Sequence, residues 1–181
     1  MATRRRSGAP LFFSVSSAVS RLATGFSISG ASINCEALQL RTARLRYFFY
    51  GTLMDRAVLA AVLGRAPAAP PRAAILHGYR RMFRHGASYP VLAPAAGEAV
   101  SGVVVEGLGE GDARRLEAFE GRDYALREMP VRLCRGRHVP AMVFMPIDPA
   151  AASAVPWSPG DWHRRYRRQY LQRIGRSGKP G

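Results

Sequence analysis

Glu120 is the residue of this sequence whose type and position most readily do chemistry. It closes the stretch Gly111-Asp112-Ala113-Arg114-Arg115-Leu116-Glu117-Ala118-Phe119-Glu120-Gly121. Asp112 is of a type that caps a helix start, and Gly121 of a type that ends a helix. At about 100° per residue, Ala113, Leu116 and Phe119 share one face. Glu120 lies within that stripe, one turn beyond Leu116. Arg114, Arg115 and Ala118 face away, and Glu117 sits at the margin. The pattern therefore sends a carboxylate inward in the last turn of a helix. Burial disfavours its charged form, and so does the negative end of the helix dipole. Both act in the direction a general base needs at neutral pH. A frayed end that delivers Glu120 to solvent is the bland alternative, and this helix alone does not choose between them.

The second chemical element is Tyr50-Gly51-Thr52-Leu53, at the exit of an aromatic run. A glycine directly after a buried strand lets the backbone approach a ligand closely. Amides exposed there, ahead of a helix, can hold a carboxylate or an oxyanion. Alone the tetrapeptide is a weak signal, since glycine most often simply turns the chain. Other chemistries find little support. His77, His85, His138 and His163 show no metal-ligand spacing. There is no Gly-x-Ser-x-Gly elbow and no phosphate loop. Ser88 and Thr52 have no base nearby in sequence, and Cys134 reads as a buried mid-strand thiol.

The elements that must position these groups follow from local pattern. Leu45 to Tyr50 is a strand able to be buried on both faces. Asp55 caps a short helix, Arg56 to Leu63, closed by Gly64. A Pro-rich connection, Ala66 to Pro71, leads to β segments at Ala73 to Arg84, Tyr89 to Leu92 and Glu98 to Leu108. Turns at His85-Gly86 and Ala96-Gly97 separate them. No helix fits between these strands, so antiparallel pairing is expected. After the Glu120 helix, Tyr124 to Cys134 and Arg137 to Met145 read as a hairpin turning at Arg135-Gly136. Pro130 and Pro140 mark edges or bulges within it. Asp161 caps a last helix, Trp162 to Ile174, with Trp162, Tyr166, Tyr170 and Ile174 as an apolar stripe. Its interleaved arginines could bind nucleic acid. The better-formed aromatic stripe favours a helix docked on the body of the protein. The fold expected is α+β, a small mixed or antiparallel β-barrel with flanking helices.

The 181 residues suit one domain, here residues 45–174, with an N-terminal extension over residues 1–44 and a tail over 175–181. The formal charge is +15, yet all but one of the 27 basic residues are arginine, Lys179 being the exception. An arginine bias beside abundant Ala, Gly and Pro reads as genome composition more than selection for phosphate. The charge also gathers toward the two ends, so a nucleic-acid partner is not expected. Residues 1–44 are Arg- and Ser-rich, with Glu36 the first acid. An organellar transit peptide, an export leader and a disordered tail all fit, and the lack of periodicity favours the tail. Cys35 and Cys134 are too few for a disulfide scaffold, and no apolar run reaches the length of a membrane span. A cytoplasmic protein with no membrane partner is the expectation.

Phe49-Tyr50-Gly51-Thr52-Leu53 resembles the opening motif of the gamma-glutamylcyclotransferase-like superfamily, in its avirulence-induced-gene-like (gamma-glutamylamine cyclotransferase-like) branch. Gly78-Tyr79-Arg80-Arg81, Tyr89-Pro90, Gly102-Val103-Val104 and the block Leu116 to Tyr124 recur in the same order. The likeness runs from about Tyr47 to Met145. Members usually carry Asp where this chain has Glu117, a position outside the catalytic one. The resemblance implies a small barrel with a pocket at one end, and a reaction. The free α-amine of a γ-glutamyl compound attacks its own γ-amide carbonyl, giving 5-oxoproline and a released amine. It maps the catalytic glutamate onto Glu120 and the substrate-cradling loop onto Tyr50, Gly51, Thr52 and Leu53. Tyr124 either hydrogen-bonds the substrate or Glu120, or packs at the start of the next strand. The partner implied is a small γ-glutamyl molecule, and neither metal nor organic cofactor is required. A non-catalytic binding module of the same fold is the alternative. A basic nucleic-acid-binding protein is a more distant one.

Overall fold

The structure is a computed structural model, and it describes residues 45–134 and 136–177. The sequence expectations for residues 1–44, for Arg135 and for residues 178–181 lie outside the described residues.

The first strand, β1 (Arg46–Phe49), is hydrophobic on both faces because it has a core on each side. Successive side chains of a strand alternate faces. Phe48 and Tyr50 enter the barrel interior with Leu76, Leu92, Val104, Val131 and Val143. Tyr47 and Phe49 face outward, where Val58, Leu59, Leu116, Phe119 and Trp162 cover them. Tyr47 and Phe48 are 2% and 1% exposed, so the strand is sandwiched rather than half-solvated.

The barrel is completed by β2 (Arg72–Arg84), β3 (Pro90–Glu106), β4 (Tyr124–Leu133) and β5 (His138–Pro146). Around the ring β1 pairs with β3, β3 with β2, β2 with β4, β4 with β5, and β5 with β1. The last of these is parallel, Tyr47 opposite Met142 and Phe48 opposite Val143, and the others are antiparallel. The antiparallel pairing expected among the segments from Ala73 to Leu108 is found between β2 and β3, and the parallel β1–β5 contact makes the barrel mixed. The connection from β1 to β5 contains most of the fold, ample length for the crossover that parallel pairing requires.

Tyr89 to Leu92 and Glu98 to Leu108 are not separate strands. They form one continuous strand, β3, and Ala96-Gly97 is not a hairpin turn. The register to β2 shifts between His77/Ala99 and Tyr79/Pro94, leaving a bulge opposite Gly78. Gly78 and Gly97 both have positive φ, 85° and 80°, so the glycines re-aim paired strands instead of ending them. A sixth strand unforeseen from sequence, β6 (Ala152–Pro156), adds to the far end of β2 through Met82 and Arg84. Pro130 lies opposite Pro140 in the β4–β5 ladder. Both lie outside the short stretches where β4 meets β2 and β5 meets β1, as a missing N–H requires. Cys134 follows the end of β4 and is exposed, not buried mid-strand.

Four helices flank the barrel. In α1 (Arg56–Leu63), Asp55 accepts hydrogen bonds from the Ala57 and Val58 amides at 2.9 and 3.2 Å. The helix α2 (Glu110–Glu120) starts earlier than expected, with Gly109 at its cap. Asp112 is its third residue, buried, accepting from the Gly109 amide at 3.1 Å and paired with Arg65. The last expected helix is two, α3 (Pro159–Arg165) and α4 (Arg167–Ser177), capped by Ser158 rather than Asp161. Tyr166 breaks the pair and contacts Phe83 edge-on, while Trp162 and Tyr170 meet at 5.3 Å. The helix α4 continues to Ser177, three residues past the Ile174 expected as the helix end.

Candidate functional site

Glu120 comes to the pocket because α2 packs Leu116 and Phe119 inward, at 0% and 7% exposure. Arg114, Arg115, Glu117 and Ala118 are exposed, so the helix phase is the one the stripe required. Glu120 is half-buried in the last residue of the helix. Gly121 then takes φ of +72°, a conformation that a side chain disfavours, and turns the chain into a short helical turn before β4.

A pocket of about 340 Å3, counting its open mouth, is lined by Glu120 together with Tyr50, Gly51, Thr52, Leu53 and Tyr124. All six candidates from the sequence thus lie around one space, although Tyr50, Gly51, Thr52 and Leu53 precede Glu120 by 67 to 70 residues in the chain. Tyr89, Pro90 and Phe144 complete the walls. Tyr89-Pro90 was legible only as a motif without a role, and Phe144 carried no sequence signal of its own.

The residue after β1 builds the floor. The Tyr50 side chain enters the barrel and its hydroxyl donates to the Phe144 carbonyl at 2.7 Å. Gly51 lies against Pro90, and a Cβ there would sit 2.9 Å from the Pro90 ring. The close approach that glycine allows is therefore to a pocket wall. Thr52–Met54 forms a single tight turn, with the Met54 amide bonded to the Gly51 carbonyl at 3.0 Å. The Thr52 and Leu53 amides have no acceptor within that turn, as at any helix start. The Thr52 hydroxyl lies 3.3 Å from that of Tyr170, which ties α4 to the loop. Leu53 is buried in the outer core and anchors the loop there. The Tyr124 hydroxyl donates to the Pro90 carbonyl at 3.2 Å.

Arg81, legible in the sequence only as part of the Gly78–Arg81 motif and without a role, is a structural partner of the loop. Its Nη1 donates to the carbonyls of Tyr50 at 2.8 Å and Ser101 at 3.0 Å, and the guanidinium lies 5.2 Å from the Trp157 ring centroid. Burial lowers its pKa to about 10, which leaves it charged at neutral pH. The cation thus holds the peptide that joins Tyr50 to Gly51. Its Nε is buried without a hydrogen-bond partner among the described residues.

The electrostatics are those of buried phenols facing a carboxylate. Burial first, then Tyr124 and Glu120, push the Tyr50 hydroxyl well above its ordinary pKa. Burial and the Glu120 charge do the same to Tyr124. Tyr170 is raised chiefly by burial, with Glu120 adding to it against the Thr52 hydrogen bond. The phenols that face Glu120 are therefore neutral at physiological pH. No group of His, Cys, Asp and Glu able to hold a metal ion occurs among the described residues. No helix among them is long and apolar enough to cross a membrane.

A closed mixed barrel of five strands with four flanking helices, carrying a carboxylate-lined pocket at the exit of its first strand, defines the fold class. The family model of gamma-glutamyl cyclotransferase, AIG2-like, matches residues 47–164, and the chain belongs to that family. AIG2-like protein C of Arabidopsis thaliana is 30% identical over 86 residues, 48% of this chain and 49% of that protein. The chain spans about half the length of the curated relatives it matches. A solution structure from Arabidopsis thaliana superposes with TM-score 0.55 at 24% identity, over 72% of this chain and 79% of that one. A solved gamma-glutamyl cyclotransferase superposes with TM-score 0.52 at 16% identity, over 76% and 89%. These two likenesses establish the fold.

Proposed function

We propose that the protein is a gamma-glutamylcyclotransferase acting on a small γ-glutamyl amine or related γ-glutamyl compound. The observation that carries the reading is the half-buried Glu120, facing the Tyr50–Leu53 loop across one pocket. Family membership supports the same reaction class.

In this reading the nucleophile belongs to the substrate. Glu120 takes a proton from the α-ammonium, and the freed amine attacks the γ-amide carbonyl. A carbon–nitrogen bond forms within the five-membered ring while the original amide bond breaks. The ring nitrogen keeps one of the ammonium's three protons, and Glu120 passes the other two in turn to the departing nitrogen, which leaves as an ammonium, so the step is balanced and needs no redox partner. One carboxylate serves as base and then as acid. Amides of the Thr52–Leu53 turn, fixed by Arg81 below and Tyr170 beside them, hold the substrate carboxylate or the developing oxyanion. Holding amine and carbonyl at attack distance supplies much of the rate. The phenols of Tyr50 and Tyr124 shape and desolvate the space.

The test is 5-oxoproline release from a panel of γ-glutamyl amides and dipeptides. Release from at least one member is expected. A folded protein that cyclises none of them would instead leave a binding module of the same fold.

A further inference from the structure

The arginines interleaved with the C-terminal aromatic stripe take no part in the Glu120 pocket. Arg165, Gln169 and Arg173 recur every fourth residue, a spacing that puts them on one helical face. Although α3 ends at Arg165, the Tyr170 amide bonds to the Tyr166 carbonyl at 2.9 Å, which carries that spacing into α4. All three residues line a second cleft of about 1200 Å3, counting its open mouth. The turn between β2 and β3 brings Arg84, His85 and Ser88 to the same cleft. The cleft has no lining residue in common with the Glu120 pocket.

Its charge is one-sided. No carboxylate lines it among the described residues. Arg165 and Arg173 are exposed, and neither forms an ion pair among the described residues. Asp161, one turn before Arg165, is already held by Arg164 and by the Ser158 hydroxyl, each at 2.6 Å. Arg84 is paired with Asp123 at 2.5 Å and hydrogen-bonded to Tyr89, which fixes its guanidinium at the cleft. Those two bonds do not exhaust the five N–H donors of an arginine. The Gln169 amide and the Ser88 hydroxyl add neutral donors to the lining. Cations gathered without a carboxylate repel one another, and an anion between them relieves that repulsion.

We infer that this cleft is a second binding site, for a phosphate-bearing small molecule with two or more negative charges. Planar guanidinium forks meet phosphate oxygens through paired N–H bonds. A single carboxylate occupies one such fork. Three guanidiniums from two separate parts of the chain suit a diphosphate, whose oxygens reach more than one of them. Phe83 and Tyr166, in edge-on contact, and Val155 give the same cleft an apolar side for the organic part of the ligand. Neither the cyclotransferase reading nor its substrate enters this inference.

The experiment titrates sodium pyrophosphate into the full chain by calorimetry at low salt, where exposed charges are least screened. Wild type is compared with Arg165→Gln/Arg173→Gln and with Arg56→Gln/Arg127→Gln. The second pair removes the same charge from exposed arginines outside the cleft, so it separates the site from the general pull of an arginine-rich chain. Wild type is expected to bind with a Kd below about 1 mM. The cleft variant should weaken binding at least about tenfold, and the control less than about twofold. Thermal melting checks that both variants stay folded, as substitutions at exposed positions allow. Excess γ-glutamyl-alanine leaves pyrophosphate bound, since the two spaces have no lining residue in common. Lack of saturable binding, equal weakening in the two double variants, or displacement by γ-glutamyl-alanine overturns the inference. The titration reads the same whether or not 5-oxoproline is released, so its failure is distinguishable from failure of the cyclotransferase reading.

Discussion

Within the pocket, two carboxylates three residues apart on one helix have different fates. Glu117 is exposed and Glu120 lines the pocket, so Glu117→Gln is expected to change 5-oxoproline release less than twofold. A loss comparable to that at Glu120 would assign the base to the wrong helix face. Tyr124→Phe removes a hydroxyl that donates to the Pro90 carbonyl and stands near the Glu120 charge. It should cost about 1 kcal/mol in urea unfolding and about tenfold in kcat/KM. Unchanged kinetics would reduce Tyr124 to packing. The placement of Glu120 was legible because helical periodicity is a strong local signal, carried by Leu116 and Phe119. The roles of Arg81, Tyr89 and Phe144 were not, because each depends on partners brought from elsewhere by the barrel. No local pattern states that Arg81 reaches the Tyr50 carbonyl across two strands.

Among the elements, the joint between α1 and α4 is where sequence and packing meet most visibly. Asp55 caps α1 and also accepts from Arg167 of α4, at 2.6 Å through Nε. Burial alone would raise its pKa, but the Arg167 hydrogen bond and the Val58 and Ala57 amides outweigh it and hold the value below the ordinary one. A carboxylate with a depressed folded-state pKa contributes stability above its unfolded value near pH 4, and loses it as pH falls through the folded value. Asp55→Asn keeps an acceptor for the cap but gives up the ion pair. It should cost about 1 kcal/mol at pH 7. Thermal melts should then show the gap from wild type closing as the pH drops below about 4. A gap independent of pH would contradict the role of the charge. At Gly102 the constraint is steric. A Cβ there would lie 2.4 Å from the Phe49 carbonyl oxygen and 2.5 Å from the Phe48 ring. Gly102→Ala is expected to destabilise by about 3 kcal/mol, since neither the paired backbone nor the packed ring can withdraw. Capping and closing residues made α1 readable in advance. The parallel β1–β5 contact and β6 were not readable, since strand partners are chosen by closure of the whole barrel. Gly97 misled for a related reason: the same residue type serves a turn and a bulge, and only the partner strand distinguishes them.

For the molecule as a whole, the surplus of arginine remains to be set against the pocket. A charge of +15 would ordinarily point to a polyanion. If the surplus reflects composition, DNA retention should be weak at physiological salt, and should vanish when residues 1–44 and 178–181 are removed, while 5-oxoproline release survives. Tight DNA binding that resists trimming would contradict this. The cut at the C-terminal end falls after Ser177 because α4, which carries Tyr170 against Thr52, runs that far. The central claim is that Glu120 moves the proton in a cyclisation within this pocket. Its most direct measurement is the rate of 5-oxoproline release by wild type and by Glu120→Gln, on the best substrate of the panel, with the fold of both checked by thermal melting. Glutamine preserves size and hydrogen bonding but cannot accept the ammonium proton. The account predicts a fall of at least about a hundredfold with an intact fold, in line with the loss of a general base. Release within a few-fold of wild type would contradict it.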